Sequence, residues 1–493
     1  MLFSSAFFLF AFLPVVLALC AVLGPRAKNL VLLVASLIFY AWGESWLAAV
    51  MAISIVANHG FGLWVERERR AGDGRVAVTT AVVFNLGLLV LFKYADWIWE
   101  SAGGFFAGHA VTPLGALLVP EGWGKNVLLD SNLHLRLPLG ISFFTFQAMS
   151  YVIDVHRRDV AAQRSLLDFG LYITFFPQLI AGPIVRYRDL AGQIVARTET
   201  LARFASGVRR FAVGLGKKIL IANTLGAAVE QIFSTPPEQV TLSVAWLGAL
   251  VRLLHIYFDF SSYSDMAIGL GRMFGFEILE NFNYPFLAKS LSEFWRRWHI
   301  SLSTWFRDYL YIPLGGGRGD TAHVYSRLAV VFLLCGLWHG ASLNFLVFGC
   351  IHGTVLALER AFLHEQLKKW PTPLRRAYLF FVLAVGGIAF QCEDTQVMSS
   401  WFAALFGFSA GNPALAYPAL YLDPVRLLAI AAAIIGSMPW IPWLRERLAN
   451  VGKRGIRVAW LDVSGDLVLG AVLLMCALEL SVGTFDPFVY FRF

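Results

Sequence analysis

Residues Ser292 to Gly317 read SEFWRRWHISLSTWFRDYLYIPLGGG, and the fold turns on how this stretch is read. It is too aromatic for a soluble surface and too charged for a membrane span: Trp295, Arg296, Arg297, Trp298, Trp305, Arg307, Asp308 and Tyr309 fall close together. An apolar run follows, containing Leu337-Trp338-His339-Gly340, and from Arg327 to Glu359 no Asp, Glu, Lys or Arg intervenes. At about 1.5 Å per residue those roughly 31 positions make a helix near 46 Å long, against a hydrocarbon layer of about 30 Å. One straight span cannot hold them. A break is expected at Gly336, Gly340 or Gly349, because glycine weakens helices and marks irregular backbone. With Arg327 at an interface, His339 lies roughly 18 Å down, near the midplane. A titratable side chain at that depth faces protein or a water-filled cavity and marks a candidate functional site.

The rest of the composition agrees. Of 493 residues 58% are hydrophobic and 15% charged, with mean hydropathy +0.65, where a soluble chain carries about 25% charged residues. The expectation is an all-α polytopic membrane protein. The net charge of +8 is gathered in short loops, so it reads as an orientation signal rather than a nucleic-acid surface. Cys20, Cys335, Cys350, Cys392 and Cys476 are scattered without a CxxC pair, which predicts neither a disulfide framework nor a zinc site. The first residues, MLFSSAFFLFAFLPVVLALCAVLG, lack a basic leader and read as a retained span rather than a cleaved signal peptide.

In order, apolar segments run 2–23, 29–42, 46–65 and 76–92. The loops holding Arg26 and Lys28, and Arg67, Arg69, Arg70 and Arg75, fall on one side, which the positive-inside rule makes cytoplasmic with the N-terminus outside. A Gly- and Pro-containing loop covers 102–132 and a span 137–155. Segment 166–184 carries Pro177 and Pro183 between two basic flanks, so a broken or re-entrant helix is expected. Segment 201–220 alternates Leu201, Phe204, Val208, Phe211, Leu215 and Ile219 with Arg203, Arg209, Arg210, Lys217 and Lys218, as an interfacial amphipathic helix does. Two spans are predicted at 241–258 and 261–276, the broken apolar run at 328–358, and further spans at 377–392, 425–437 and 467–482. That makes ten or eleven crossings in one domain, 1–493, with N-terminal spans at 1–100, a catalytic core at 137–360 and C-terminal spans at 377–493. No repeat of fixed period is visible.

Of the histidines, His109, His134, His323 and His364 lie in loops or interfaces, and His59, His255 and His352 read as hydrogen-bonded packing residues within apolar segments. His339 combines depth with a helix break. An imidazole is the side chain whose ordinary pKa suits it to take a proton from an attacking hydroxyl. No GxSxG elbow, GxxxxGK[ST] loop or HExxH pair occurs, so serine-nucleophile, nucleotide and zinc-peptidase chemistry lack support. Transfer from a soluble activated donor to an acceptor hydroxyl, within the membrane, remains.

The ordered set of motifs resembles the membrane-bound O-acyltransferases. It comprises LPLGISFFTFQ from Leu137, FPQLIAGP from Phe176, YFDFSSYSDM from Tyr257, FWRRWHISLS from Phe294, WFRDYLYIPLG from Trp305, GLWHG from Gly336 and the terminal Tyr490-Phe491-Arg492-Phe493. Together they are similar to the bacterial branch that includes the alginate O-acetyltransferases. The resemblance implies tilted helices around a central tunnel, with re-entrant and interfacial helices beside it. His339 would be the catalytic histidine and His299 a second residue that orients or polarises. Trp295, Trp298, Trp305, Tyr309, Trp338 and Asp308 would line the tunnel or substrate site. Arg296, Arg297 and Arg307 would attract the phosphates of acetyl-CoA, unless they serve only as interfacial anchors. No metal is implied.

The implied activity is transfer of acetyl from cytosolic acetyl-CoA to a hydroxyl across the bacterial inner membrane, for exopolysaccharide acetylation. It would act with a periplasmic SGNH-type, esterase-like acceptor protein in a polysaccharide biosynthesis complex, surrounded by membrane lipid. Two alternatives stand beside it: an acyl carrier protein as donor, as in D-alanylation, or a polysaccharide export channel without chemistry. The chain departs from the family pattern at Ser342, where Asn is usual two residues after His-Gly, at Gly317 before Arg318, and at Gln391-Cys392 after Phe390.

Overall fold

The structure, a computed structural model, describes residues 1–107, 112–118, 129–130, 134–409, 411–450, 454–482 and 488. The terminal Tyr490–Phe493 motif, His109 and much of the 102–132 loop lie outside them. The described secondary structure is helical, apart from one isolated bridge between Leu129 and Leu135. Among the described residues eight helical stretches are long and apolar enough to cross a membrane, and Phe8–Val22 and Pro424–Gly436 are shorter apolar helices. This is a multi-pass membrane protein.

By its contacts the chain forms two compact units, Met1–Gly207 with Leu270–Leu279 and Val208–Gly269 with Glu280–Phe493. In the first, α2 (Pro25–Glu44), α3 (Ala48–Ala71) and α5 (Ile141–Arg157) pack against a short α6 (Leu166–Thr174), with α1 (Leu13–Val22) against α2 and α4 (Arg75–Leu89) against α3 and α5. The apolar stretch Ala27–Ala71 runs 45 residues, about 67 Å at helical rise. It cannot cross once, and Ser45, at φ +46°, divides it into α2 and α3. The helix α6 stops after 9 residues, well short of a crossing, as Pro177 and Pro183 predict. The turn after it is buried rather than lipid-exposed. Phe176 packs its ring on Phe12 and Phe39 at 5.5 and 5.6 Å, its N–H bonds Ser36 Oγ at 3.0 Å, and Gln178 Nε2 donates to the Tyr172 carbonyl at 2.8 Å. Irregular backbone inside a membrane protein needs such internal partners. After α7 (Tyr187–Val195) comes α8 (Leu201–Gly216).

Two expectations are corrected here. Segment 201–220 does not end as an isolated interfacial helix: it continues through a π-turn into α9 (Asn223–Phe233) as part of a 33-residue apolar stretch. Its cations are not all turned to water. Lys218 Nζ meets Asp259 Oδ1 at 2.7 Å with both side chains 1% exposed, and Lys217 and Arg210 both pair with Asp265. Those carboxylates sit on α10 (Leu242–Met273), a single 32-residue helix where two spans were predicted. Asp259 lies where the two predicted spans meet, and an unpaired carboxylate is costly inside a span. Paired, it is carried inside one.

In the second unit α11 (Leu291–Trp295) and α12 (Ile300–Phe306) lead to α13 (Thr321–His339), α14 (Leu343–Leu358) and α15 (Thr372–Gln391), with α16 (Pro424–Gly436) and α17 (Arg454–Ser481) beyond. The predicted break falls at Gly340, extended at φ −169°. The other two glycines serve a different end. A Cβ on Gly336 would lie 2.2 Å from the Phe345 carbonyl oxygen, and one on Gly349 2.5 Å from that of Phe332. They let α13 and α14 pack backbone to backbone as a hairpin, the role small residues play between membrane helices.

Candidate active site

The SEFWRRWHIS stretch is not a span, and what holds it inside the protein is a buried carboxylate. Glu359, 1% exposed, accepts from the backbone N–H groups of Leu291 (2.6 Å) and Ser292 (2.9 Å), the Ser292 hydroxyl (2.7 Å) and the Tyr378 hydroxyl (3.1 Å). Ser290 caps α11 by accepting from Glu293 N–H. The chain then turns through His299, whose φ and ψ of 44° and 54° are left-handed. A non-glycine residue persists there only when its surroundings fix it. Asn281 is the fixing group: its carbonyl accepts from Ile300 N–H at 3.0 Å, and its side-chain oxygen accepts from Ser301 N–H and Oγ at 3.1 and 2.9 Å and faces His299 Nδ1 at 3.3 Å.

His299 is fully buried, its ring edge-on to Phe260 at 4.6 Å. It lies between spans rather than within one. Burial first, and the neighbouring His339 second, hold its imidazole well below the usual histidine range. It is therefore neutral at physiological pH. With Asn281 Oδ1 as its acceptor, the neutral ring carries its proton on Nδ1 and keeps a lone pair on Nε2.

His339 ends α13, and the chain reverses immediately after it. Gly340 is required at the reversal, since a Cβ there would sit 2.1 Å from the Phe345 ring. The imidazole lies among Trp338, Phe348 and Phe390, with ring centroids at 5.1, 5.7 and 5.2 Å. Trp338 is also 5.9 Å from His299, so one indole neighbours both histidines.

His339, Trp295 and Trp298 line one cavity of about 50 Å³, with Arg252, His352, Phe348 and Phe390. Trp295 also lines a second cavity, of about 410 Å³, whose walls include Arg296, Arg307, Ser303, Thr304 and Tyr311. A single indole thus borders both a small histidine cavity and a larger one edged by cations. Its N–H donates to His352 Nδ1 at 3.2 Å. Among the described residues no His, Cys, Asp and Glu side chains gather in a group able to hold a metal.

The sequence model of MBOAT, the membrane-bound O-acyltransferase family, matches residues 34–393. This chain belongs to that family. It is 39% identical, over the full length of both chains, to a probable alginate O-acetylase of Azotobacter vinelandii. It is 34% identical to a peptidoglycan O-acetyltransferase of Helicobacter pylori, over 75% of this chain and 72% of the relative. A teichoic acid D-alanyltransferase of Bacillus subtilis is 29% identical over 51% of this chain and 68% of its own. The protein is a membrane-bound O-acyltransferase.

Within this O-acyltransferase the residues singled out in the sequence divide into groups. His339, Trp295 and Trp298 share the small cavity, and His299 and Trp338 adjoin it. Trp305 and Tyr309 pack on each other at 5.2 Å, and Asp308 is taken up by Arg307 at 2.7 Å; none of the three lines that cavity. Arg296 and Arg307 border the larger cavity. Arg297 instead bonds Glu293 Oε1 and the Asn283 carbonyl, which braces the turn. Sequence reasoning passed over Arg252, Asn281, Glu359 and the place of His352 in the site. A signal existed for Arg252, an arginine inside an apolar helix. The usual family Asn at position 342 is replaced by Ser342, yet Asn344 is buried two residues on, with Ser342 Oγ bonded to its Oδ1 and its Nδ2 donating to the Ala389 carbonyl at 3.2 Å.

Proposed function

We propose that the protein transfers an acetyl group from cytosolic acetyl-CoA to a hydroxyl on the far side of the membrane, with His339 as general base and His299 as its positioning partner. The observation that carries this reading is the cavity holding His339 at a helix reversal, with Trp295 between it and a larger cavity bordered by Arg296 and Arg307. The larger cavity suits the donor's pantetheine arm, and the two guanidiniums suit its phosphates. His339 accepts the proton of the acceptor hydroxyl as that oxygen attacks the thioester carbonyl carbon. The tetrahedral adduct collapses with cleavage of the C–S bond, and the imidazolium returns its proton to the leaving thiolate. Products are the acetyl ester and free CoA. The lone pair on His299 Nε2 can hold the incoming hydroxyl or the protonated His339.

The names of the relatives support a polysaccharide as the eventual destination, alginate or a similar exopolymer; the immediate acceptor in this reading is an extracytoplasmic esterase-like partner. The orientation that the basic loops favour, N-terminus outside in the bacterial inner membrane, sets the donor on the cytosolic face. In membranes containing equal amounts of protein, His339→Ala is expected to lose labelled-acetyl transfer from acetyl-CoA by at least about 100-fold; retained transfer removes the assignment. The Bacillus subtilis relative favours a second reading, a carrier-protein thioester as donor. Purified protein that consumes acetyl-CoA with no carrier present excludes it.

A further inference from the structure

Two cavities of the first unit share no wall with those of the histidine site, and they adjoin each other. The larger, of about 700 Å³, is polar, with Lys28, Asn29, Asp168, Arg197 and Glu199 among its lining residues. The other, of about 480 Å³, lies against apolar side chains of α1 and α8, including Leu17, Ala18, Leu201 and Phe204. Arg197 and Glu199 border both. Lys28 stands near the start of α2, just past the end of the apolar helix α1 at Val22. The ends of membrane helices are where lipid headgroups lie.

The polar end is held by a chain of directed bonds. Arg197, its side chain 7% exposed, donates from Nε to Glu199 Oε1 at 3.1 Å and from Nη1 to Asn29 Oδ1 at 2.6 Å. Asn29 is buried, and its Nδ2 donates to Asp168 Oδ1 at 3.1 Å and to the Ile194 carbonyl at 3.0 Å. One amide thus holds a guanidinium on its oxygen and a carboxylate on its nitrogen, which fixes a cation and an anion at a set spacing along one wall. Lys28 also pairs with Glu199. The lining charges therefore balance, Lys28 and Arg197 against Asp168 and Glu199. A ligand of one sign is attracted by half of them and repelled by the rest, whereas a zwitterion can turn its anionic group to the cations and its ammonium to a carboxylate. Among the described residues lining this cavity there is no aromatic ring, so it lacks the ring faces that recognise a quaternary ammonium. A primary ammonium, with its N–H donors, suits Asp168.

We propose that the two cavities form one phospholipid site, with the lipid phosphate at Lys28 and Arg197, an ethanolamine-type ammonium at Asp168, and an acyl chain along the apolar side chains of α1 and α8. A soluble zwitterion leaves the apolar cavity unfilled, and an amphiphile occupies both. Asp168 belongs to the first turn of α6, so the bound headgroup braces the short broken helix of this unit. The site is independent of the acyl-transfer reading and stands or falls without it.

The test uses the full chain in detergent micelles, supplied with an equal mixture of phosphatidylethanolamine, phosphatidylcholine and phosphatidylglycerol of identical acyl chains, the retained lipids being counted by native mass spectrometry. The wild type is expected to retain phosphatidylethanolamine about tenfold or more over the other two, the effect of one charge-assisted hydrogen bond. Asp168→Asn should narrow that preference to within about threefold, and Arg197→Gln should lower retention of all three lipids by about tenfold. Because the preference is a ratio within one preparation, a smaller folded fraction in a variant leaves it unchanged. Soluble glycerophosphoethanolamine at the lipid's concentration should displace none of the bound lipid; displacement by it marks a site for a free phosphate ester and overturns the lipid assignment. Equal retention of the three lipids by the wild type, or a preference for phosphatidylglycerol or phosphatidylcholine, overturns the proposal whether or not any variant folds.

Discussion

At the scale of single residues the proposed site rests on two histidines held by different means. His339 is positioned by a helix end and a glycine turn, His299 by a left-handed backbone pinned to Asn281. Their substitutions should therefore differ. His299→Gln is expected to lower the turnover of acetyl-CoA by about 100-fold while leaving its KM within about threefold, because a positioning partner acts after the donor is bound; a change confined to KM contradicts that role. The depressed titration of His299 also has a consequence for stability. Its folded-state pKa lies below the unfolded value of about 6.5, so the unfolded chain takes up a proton that the folded chain refuses. The contribution is fully present above about pH 6.5 and is lost progressively as pH falls from there toward the lower folded-state value. Thermal unfolding in detergent at pH 7.5 and 5.5 should show a drop for the wild type that is smaller in His299→Gln. That His339 is a candidate was legible in the sequence from its place in an uncharged run. The role of Asn281 was not, since a fixing group 18 residues away is brought close only by the turn.

At the scale of elements, pairing across helices decided what the charges do. The Lys218–Asp259 pair ties the stretch around α8 and α9 to α10 with both groups out of water. Removing one partner of such a pair leaves a bare buried charge, a loss of about 3–5 kcal/mol, whereas replacing both with apolar side chains is close to neutral. Lys218→Met should therefore destabilise the protein, and Lys218→Met with Asp259→Leu should recover most of the loss, as read by the temperature at which detergent-solubilised protein aggregates. Equal damage in the single and double variants contradicts the pairing. Periodicity placed Lys218 on a polar face, and that much was sound. A helical wheel cannot say whether a polar face meets water or a neighbour's carboxylate, so the 201–220 segment read as an interfacial helix.

At the scale of the whole molecule, the basic loops imply an orientation that can be checked directly. In a chain whose own cysteines are replaced by alanine, Gly72→Cys should resist a membrane-impermeant maleimide in intact spheroplasts, and Ser101→Cys should react with it. The opposite pattern reverses the face from which the donor arrives. Hydropathy, charge bias and glycine punctuation, all local or near-local properties, determined that the chain crosses the membrane many times and that the 166–184 and 328–358 stretches break, the second at one of three glycines. They also carried the ordered motifs by which the family is recognised. Only the tertiary structure decided that α10 is one helix with its carboxylates paired, that Trp295 borders two cavities, and that Arg252 shares a cavity with His339. The reason is that burial of a charge is set by the partners it meets, and those partners lie tens of residues away along the chain, beyond the reach of any pattern read along it.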